Sequence, residues 1–297
     1  MIYKTRLIPV CIFILMGSVM LYPRNWREGF LWETEQDTSH HYMEFIKLYE
    51  TTIDWTSGKI RSEISIPIME EDANIGRQIT AYSADIRHQL RQNLIKALGS
   101  LRISEIFLLR DYYSLKSDLR YEIIANVDKA FYYPPIKKFD RYYGAIELDI
   151  FGDSGLANIF YRNIDRRPLQ KYVDEARQNM EYFDGLVIDT TLFRNFNPSI
   201  ELRIYDQDGV LLFGPETMER DALFKNGVCK YTTSLYYALN SPRSGKRIFY
   251  LMPYDVTGKM FTDIVIHNSD AERIFSNPRT VAFLNQGNVI VVKPQRE

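Results

Sequence analysis

The stretch "GLVIDTTLFRNFNPSIELRIYDQDG", residues 185–209, decides how this chain is read. Its first part is a short continuous apolar run, the pattern of a strand buried on both faces. Its second part runs on as "SIELRIYDQDGVLLFG", an alternating hairpin that reverses at Asp206-Gln207-Asp208-Gly209. Four aspartates lie in or beside it. Asp184 and Asp189 flank "GLVI", and Asp206 and Asp208 make the turn. Carboxylates at strand ends and reversals are ordinary architecture. They are also the strongest candidates here for acid–base chemistry, because a hydrolase could draw on carboxylates dispersed along the chain.

Outward from that stretch, the same pattern reading covers most of the chain. "TTIDWTSGKIRSEISIPI" alternates about Thr56-Ser57-Gly58 and predicts a hairpin. Ile75, Ile79, Tyr82, Ile86, Leu90, Leu94 and Leu98 recur at helical spacing, with acidic residues 70–72 suiting the N-terminus and Gly99 the stop. "RISEIFLLR" reads as a strand. Leu115, Leu119, Ile123, Val127 and Phe131 mark a weaker helix, and "GAIELDIFG" a further strand. Toward the C-terminus, "FTDIVIHNSDAERIFSN" reads as strand then helix, with Asn268 or Ser269 as N-cap. "NVIVVKP" is a closing strand buried on both faces.

The fold class expected is α+β: two small α+β domains whose mainly antiparallel sheets pack against helices. They span residues 51–163 and 182–297. A charged connector, 164–181, joins them, and a polar and aromatic extension or short helix, 23–50, leads in. Before it stands "MIYKTR" followed by the uncharged run of residues 7–22. This is a signal peptide or an uncleaved membrane anchor, and either implies export to a periplasm or cell envelope. Cys11 comes too early in that run to be the modified cysteine of a lipoprotein. A mature chain would keep one thiol, Cys229, and no disulfide.

With 297 residues, 45% hydrophobic, the chain is long enough for two modest cores. Its formal net charge of −1 argues against a nucleic-acid partner. Its 21 tyrosines and 17 phenylalanines suit half-buried sheets and protein contacts.

Four short motifs bear on chemistry. Gly152-Asp153-Ser154-Gly155 matches a serine-protease nucleophile loop, but the nearest histidine, His88, projects from a helical stripe, and a turn accounts for all four residues. Asp206-x-Asp208-Gly209 has part of a calcium loop, yet Phe213, Gly214 and Pro215 stand where a bidentate glutamate is needed. His40-His41 has no partner cluster for a metal. Tyr132, Tyr133, Tyr142 and Tyr143 could line a ligand groove, or only pack. No catalytic, cofactor-binding or metal-ligating residue is therefore assigned, and no cofactor is expected.

Several segments together resemble one family, the envelope proteins related to lipoprotein-20 and the flagellar proteins FlgP and FlgT. "IDWTSGKI" is similar to that family's opening strand, and "ITAYSADIRHQLRQNLIKAL" takes the place of its amphipathic helix. "GAIELDIFGDSGLANIF" is similar to its closing strand. Gly185, Asp189, Pro198, Ile204, Asp206 and Gly209 fall on its later Gly-Leu-Val-Ile-Asp pattern, "TDIVIHNSDAERI" resembles its Asp-Ile-Val-Ile run, and "FLNQGNVIVV" its end. Thr190-Thr191 and Leu202 depart from the pattern, and the lipidation cysteine is missing. The resemblance implies a non-enzymatic structural protein of the envelope, outer-membrane associated in some members and linked to flagella and motility in others. Its expected partners are envelope proteins and further copies of itself, with no nucleic acid and with membrane contact only through residues 1–22.

Overall fold

The structure, a computed structural model, describes residues 37–68, 75–115, 117–167 and 171–295. The leader at 1–22, the first half of the extension (23–36) and the acidic residues 70–72 lie outside the described residues. No helix among the described residues is long and apolar enough to cross a membrane. The fold class is mixed α+β, as the sequence patterns imply.

The N-terminal half is a five-stranded antiparallel sheet. It comprises β1 (Met43–Ile46), β2 (Thr51–Asp54), β3 (Lys59–Pro67), β4 (Phe131–Lys138) and β5 (Arg141–Asp149), in the order β1-β2-β3-β5-β4. The β2–β3 turn closes because Asp54 Oδ1 accepts the N–H groups of Thr56 and Ser57, and Gly58 supplies the left-handed residue at φ +70°. Helix α1 (Ile75–Leu98) lies across β3 and β5. Ile86, Leu90, Leu94 and Leu98 are buried as their spacing predicts, whereas Ile79 is left exposed. Gly144 permits this approach, since a Cβ there would stand 2.4 Å from Ile86 Cγ2. The opposite face of the sheet is polar, with Lys59 paired to Glu147 and Arg61 to Glu63.

Three sequence expectations change here. Residues 43–46 form an edge strand, followed by a 3-10 turn at Lys47–Tyr49, where an extension or helix was expected. "RISEIFLLR" is not a strand of the sheet. It folds back at residues 104–107, with Ile103 N–H donating to Phe107 O and Leu109 N–H to Leu101 O, and then enters α2 (Leu109–Leu115). The next helix, α3 (Ser117–Val127), ends before Phe131, which starts β4 instead.

After the single turn of α4 (Asn158–Tyr161), the chain builds two further sheets. The first is wholly parallel. It contains β6 (Gly185–Asp189), β9 (Lys230–Thr232), β10 (Ile248–Leu251) and β13 (Val289–Val292), in the order β10-β6-β13-β9. β6 and β13 are central and buried along their whole length, as continuous apolar runs require. The second sheet is mixed: β11 (Asp255–Thr257), β12 (Asp263–Ile266), β7 (Ile204–Asp206) and β8 (Leu211–Phe213).

Short helices α5 (Arg220–Asn226), α6 (Leu235–Asn240), α7 (Asn268–Phe275) and α8 (Pro278–Asn285) complete this half. The N-cap of α7 is His267, with no side-chain cap. Asn268 is drawn elsewhere: its Oδ1 accepts Gln207 N–H, and its own N–H donates to Gln207 Oε1. One hydrophobic cluster runs through both halves, and Trp55 meets Tyr231 edge-on with ring centroids 5.8 Å apart.

Candidate functional site

The aspartates of the opening stretch do not converge. Asp184 Oδ1 accepts the N–H groups of Lys246 and Arg247 at the start of β6. Asp189, at the other end, accepts Thr191 N–H and the Tyr250 hydroxyl. The Asp206 side chain is fully buried and fully used. Its Oδ1 accepts the N–H groups of Asp208 and Val210, and its Oδ2 accepts Lys171 Nζ at 2.5 Å and the Tyr172 hydroxyl at 2.9 Å. Burial alone would raise its pKa, but the Lys171 ammonium and these hydrogen bonds outweigh it and hold the carboxyl low. Lys171 also reaches Asp208 at 2.7 Å. An ammonium thus occupies the space between the two carboxylates where the calcium reading would place a divalent ion.

The other sequence candidates serve as local bracing. The loop at 152–155 is held by Asn158 Nδ2, donating to Gly152 O and Asp153 O, and by Asn126 Nδ2, donating to Ser154 O. Ser154 is exposed, and so is His88 on α1. His41 Nδ1 lies 2.6 Å from Asp54 Oδ2, and His40 stacks on Tyr237 at 3.8 Å. The four tyrosines divide between the two faces of their sheet. Tyr142 stacks on Tyr82 and the Tyr132 hydroxyl donates to Ser83 O on the α1 side, while Arg61 covers Tyr133 on the polar side. Among the described residues, no group of three or more His, Cys, Asp or Glu could hold a metal ion.

A different cluster is the most unusual electrostatic feature. Arg203 donates through Nε to Glu216 Oε1 at 2.8 Å and through an η nitrogen to Glu201 Oε2 at 3.2 Å. Its backbone N–H donates to Asp263 Oδ1 at 3.2 Å. Asp263 is fully buried, and its Oδ2 has no hydrogen-bond partner. Burial pushes the Asp263 carboxyl up to about 7, with Arg203 opposing the shift only in part. Burial also raises Glu201, likewise opposed by Arg203. Three acids facing one guanidinium leave the cluster with negative charge to spare, and a proton on Asp263 relieves it.

A cavity of about 500 Å³ opens beside this cluster, lined by Asp165, Arg167, Arg203, Tyr205, Leu211 and Glu216. It brings the connector against the β7–β8 hairpin, where Arg167 N–H donates to Glu216 O. Residues 201, 203 and 205 share one parity of the alternating run, which is the one signal in the sequence that could have singled out Glu201 and Arg203. Asp263 carried none.

Residues 185–295 match the family described as Treponema pallidum Tp0624, second domain. The matched segment begins at the first residue of β6 and takes in both sheets of the C-terminal half, so this half is similar to a domain of a bacterial protein. Comparison with curated proteins gives no match. Of the cluster above, Glu201, Arg203, Glu216 and Asp263 all fall inside the matched segment. Asp165 and Arg167, on the cavity's other wall, precede it.

Proposed function

We propose that this protein is a non-enzymatic structural or assembly component of a bacterial cell envelope, exported through residues 1–22 acting as a signal peptide or an uncleaved anchor. One observation carries the reading: its charged clusters are spent joining segments far apart in the chain. Lys171 ties the connector to the β7–β8 turn, Arg102 reaches Glu44 and Pro198 O, and Arg177 meets both Glu272 and Ser276. Such bracing suits a body that transmits contacts. The likeness to a Treponema domain and the lipoprotein-20 resemblance favour an envelope setting, and the resemblance to FlgP and FlgT extends the proposal to flagella and motility.

Cross-linking in the native envelope followed by capture of the full chain tests this, with motility scored in a deletion strain. Envelope proteins or further copies of the chain should co-purify. A chain that remains monomeric at high concentration and captures no envelope partner would overturn the proposal.

A second reading, a periplasmic hydrolase, draws support from the buried Asp263 beside the Arg203 cavity, because perturbed carboxyl groups near clefts favour acid–base work. Asp263→Asn discriminates the two. Loss of a hydrolytic activity on envelope material with the fold intact would favour the enzyme.

A further inference from the structure

Each sheet edge in this fold poses the same question, since an unpaired edge is a template for another strand. Most are closed by a visible device. On β1, the Gln295 side chain accepts Met43 N–H and donates to Met43 O. On β4, Pro134 and Pro135 interrupt the ladder at a register shift. Beside β9, His40 O accepts Thr233 N–H and the Thr232 hydroxyl. β8 and β11 are only three residues long. Among the described residues, β10 is the edge without such a device.

We infer that the free edge of β10 is a self-pairing surface, and that its occupant is a second copy of this chain in antiparallel orientation. The inference rests on the assembly reading above and names its interface. β10 pairs with β6 alone, in parallel register, with Tyr250 opposite Val187. Asp184 N–H donates to Arg247 O, so the odd-numbered residues turn their backbone groups toward β6. Ile248, Tyr250 and Met252 therefore aim their N–H and C=O groups outward.

The side chains agree. Phe249 and Leu251 are buried, while Tyr250 and Met252 are 42% and 43% exposed. They stand on the face where, among the described residues, α6 and the turn at residues 242–244 pack; Ala238 of α6 lies over Val187, Ile290 and Val292, and its rim leaves Leu239 exposed. The Tyr250 hydroxyl donates to Asp189 Oδ2 at 2.9 Å, which fixes its ring.

Charge selects the occupant. Residues 248–254 carry none, whereas Lys246 and Arg247 precede them and Asp255 follows, all exposed. An antiparallel second copy sets the basic end of one strand against the acidic end of the other, and a parallel one sets like against like. Only registers that match even residues with even ones keep the Tyr250 and Met252 rows on one face. The register centred on Tyr250 pairs Ile248 with Met252 and places Tyr250 on the two-fold axis. That closes about six backbone hydrogen bonds and lets the two exposed rows cover each other. Pro253, lacking an N–H, and Tyr254, whose N–H already donates to Val265 O, end the strip.

The test uses the full chain with Cys11→Ser, in mild detergent. Light scattering should give a dimer, and Tyr250→Cys should form a disulfide-linked dimer on mild oxidation, whereas Tyr236→Cys, exposed on α6, should not. Tyr250→Pro removes an outward N–H without breaking the β6 ladder, and Tyr250→Lys places charge at the axis. Each should weaken dimerisation at least tenfold, with unchanged far-ultraviolet circular dichroism. A dimer that survives both substitutions, or a folded Tyr250→Cys chain that does not cross-link, overturns the inference and leaves the assembly reading standing. A monomer that captures a different envelope protein does the same. A monomer that captures nothing overturns both.

Discussion

Asp263 accepts the backbone N–H of Arg203 through one carboxylate oxygen at 3.2 Å, while its other oxygen is buried without a partner. The folded chain therefore binds the Asp263 proton more tightly than the unfolded chain does, with a folded pKa of about 7 against an ordinary 3.8. The sign follows from linkage. Below pH 4 both states hold the proton and this carboxylate costs nothing. As pH rises from 4 to 7 the native state binds the extra proton, so stability falls, and above 7 the full cost is present. That cost is on the order of 4 kcal/mol. Asp263→Asn should abolish this slope, making the variant more stable than wild type at pH 8 and no more stable at pH 4. Chemical denaturation at both pH values measures it.

The Asp206 carboxyl carries the opposite sign, because its pKa is held below the usual carboxylate range. Its contribution is present above pH 4 and is lost as pH falls through the depressed value. Asp206→Asn keeps an oxygen for the N–H groups of Asp208 and Val210 but removes the charge facing Lys171. Asp206→Ala removes both. We expect the alanine variant to lose about 2–3 kcal/mol and the asparagine variant about 1 kcal/mol in urea melts at pH 7. The loss measured for the asparagine variant should shrink as pH falls through the depressed Asp206 value, because only the wild type carries the titrating carboxyl.

Gly185 is required by a close approach of backbone to backbone. A Cβ at this position would lie 1.9 Å from Ser244 O, with no flexible side chain to yield. Gly185→Ala should cost about 3 kcal/mol, read as a lowered thermal midpoint, because the β6 end must move away from residues 242–244.

Cys229 is buried, and burial pushes its thiol up to about 12. In a chain carrying Cys11→Ser, labelling by an aromatic disulfide reagent at pH 8 should run roughly a thousandfold slower in the native state than in denaturant. Fast native labelling would show that the cluster of Cys229, Tyr231 and Arg243 opens readily.

Periodicity made the long elements legible. The β2–β3 hairpin, the buried face of α1 from Ile86 onward, and the continuous runs of β6 and β13 follow directly from residue spacing. Strand β4 escaped, because Pro134 and Pro135 argue against a strand except at an edge, and an edge is defined only by its neighbours. β9, β10 and β11 are three or four residues long, too short to display a period. The all-parallel pairing of β10-β6-β13-β9 is set by crossovers through short helices, which no local pattern encodes. The same limit hid the charged cluster. Glu201 and Arg203 stand two apart in an alternating run, but Asp263 joins them from sixty residues downstream, and its burial depends on both sheets being in place.

The amide of Gln295 holds both backbone groups of Met43, 252 residues earlier in the chain. The described polypeptide thus folds back on itself, with residue 295 held against the first strand. A circularly permuted chain, joined there by a short linker and reopened at an exposed loop, should keep the same body.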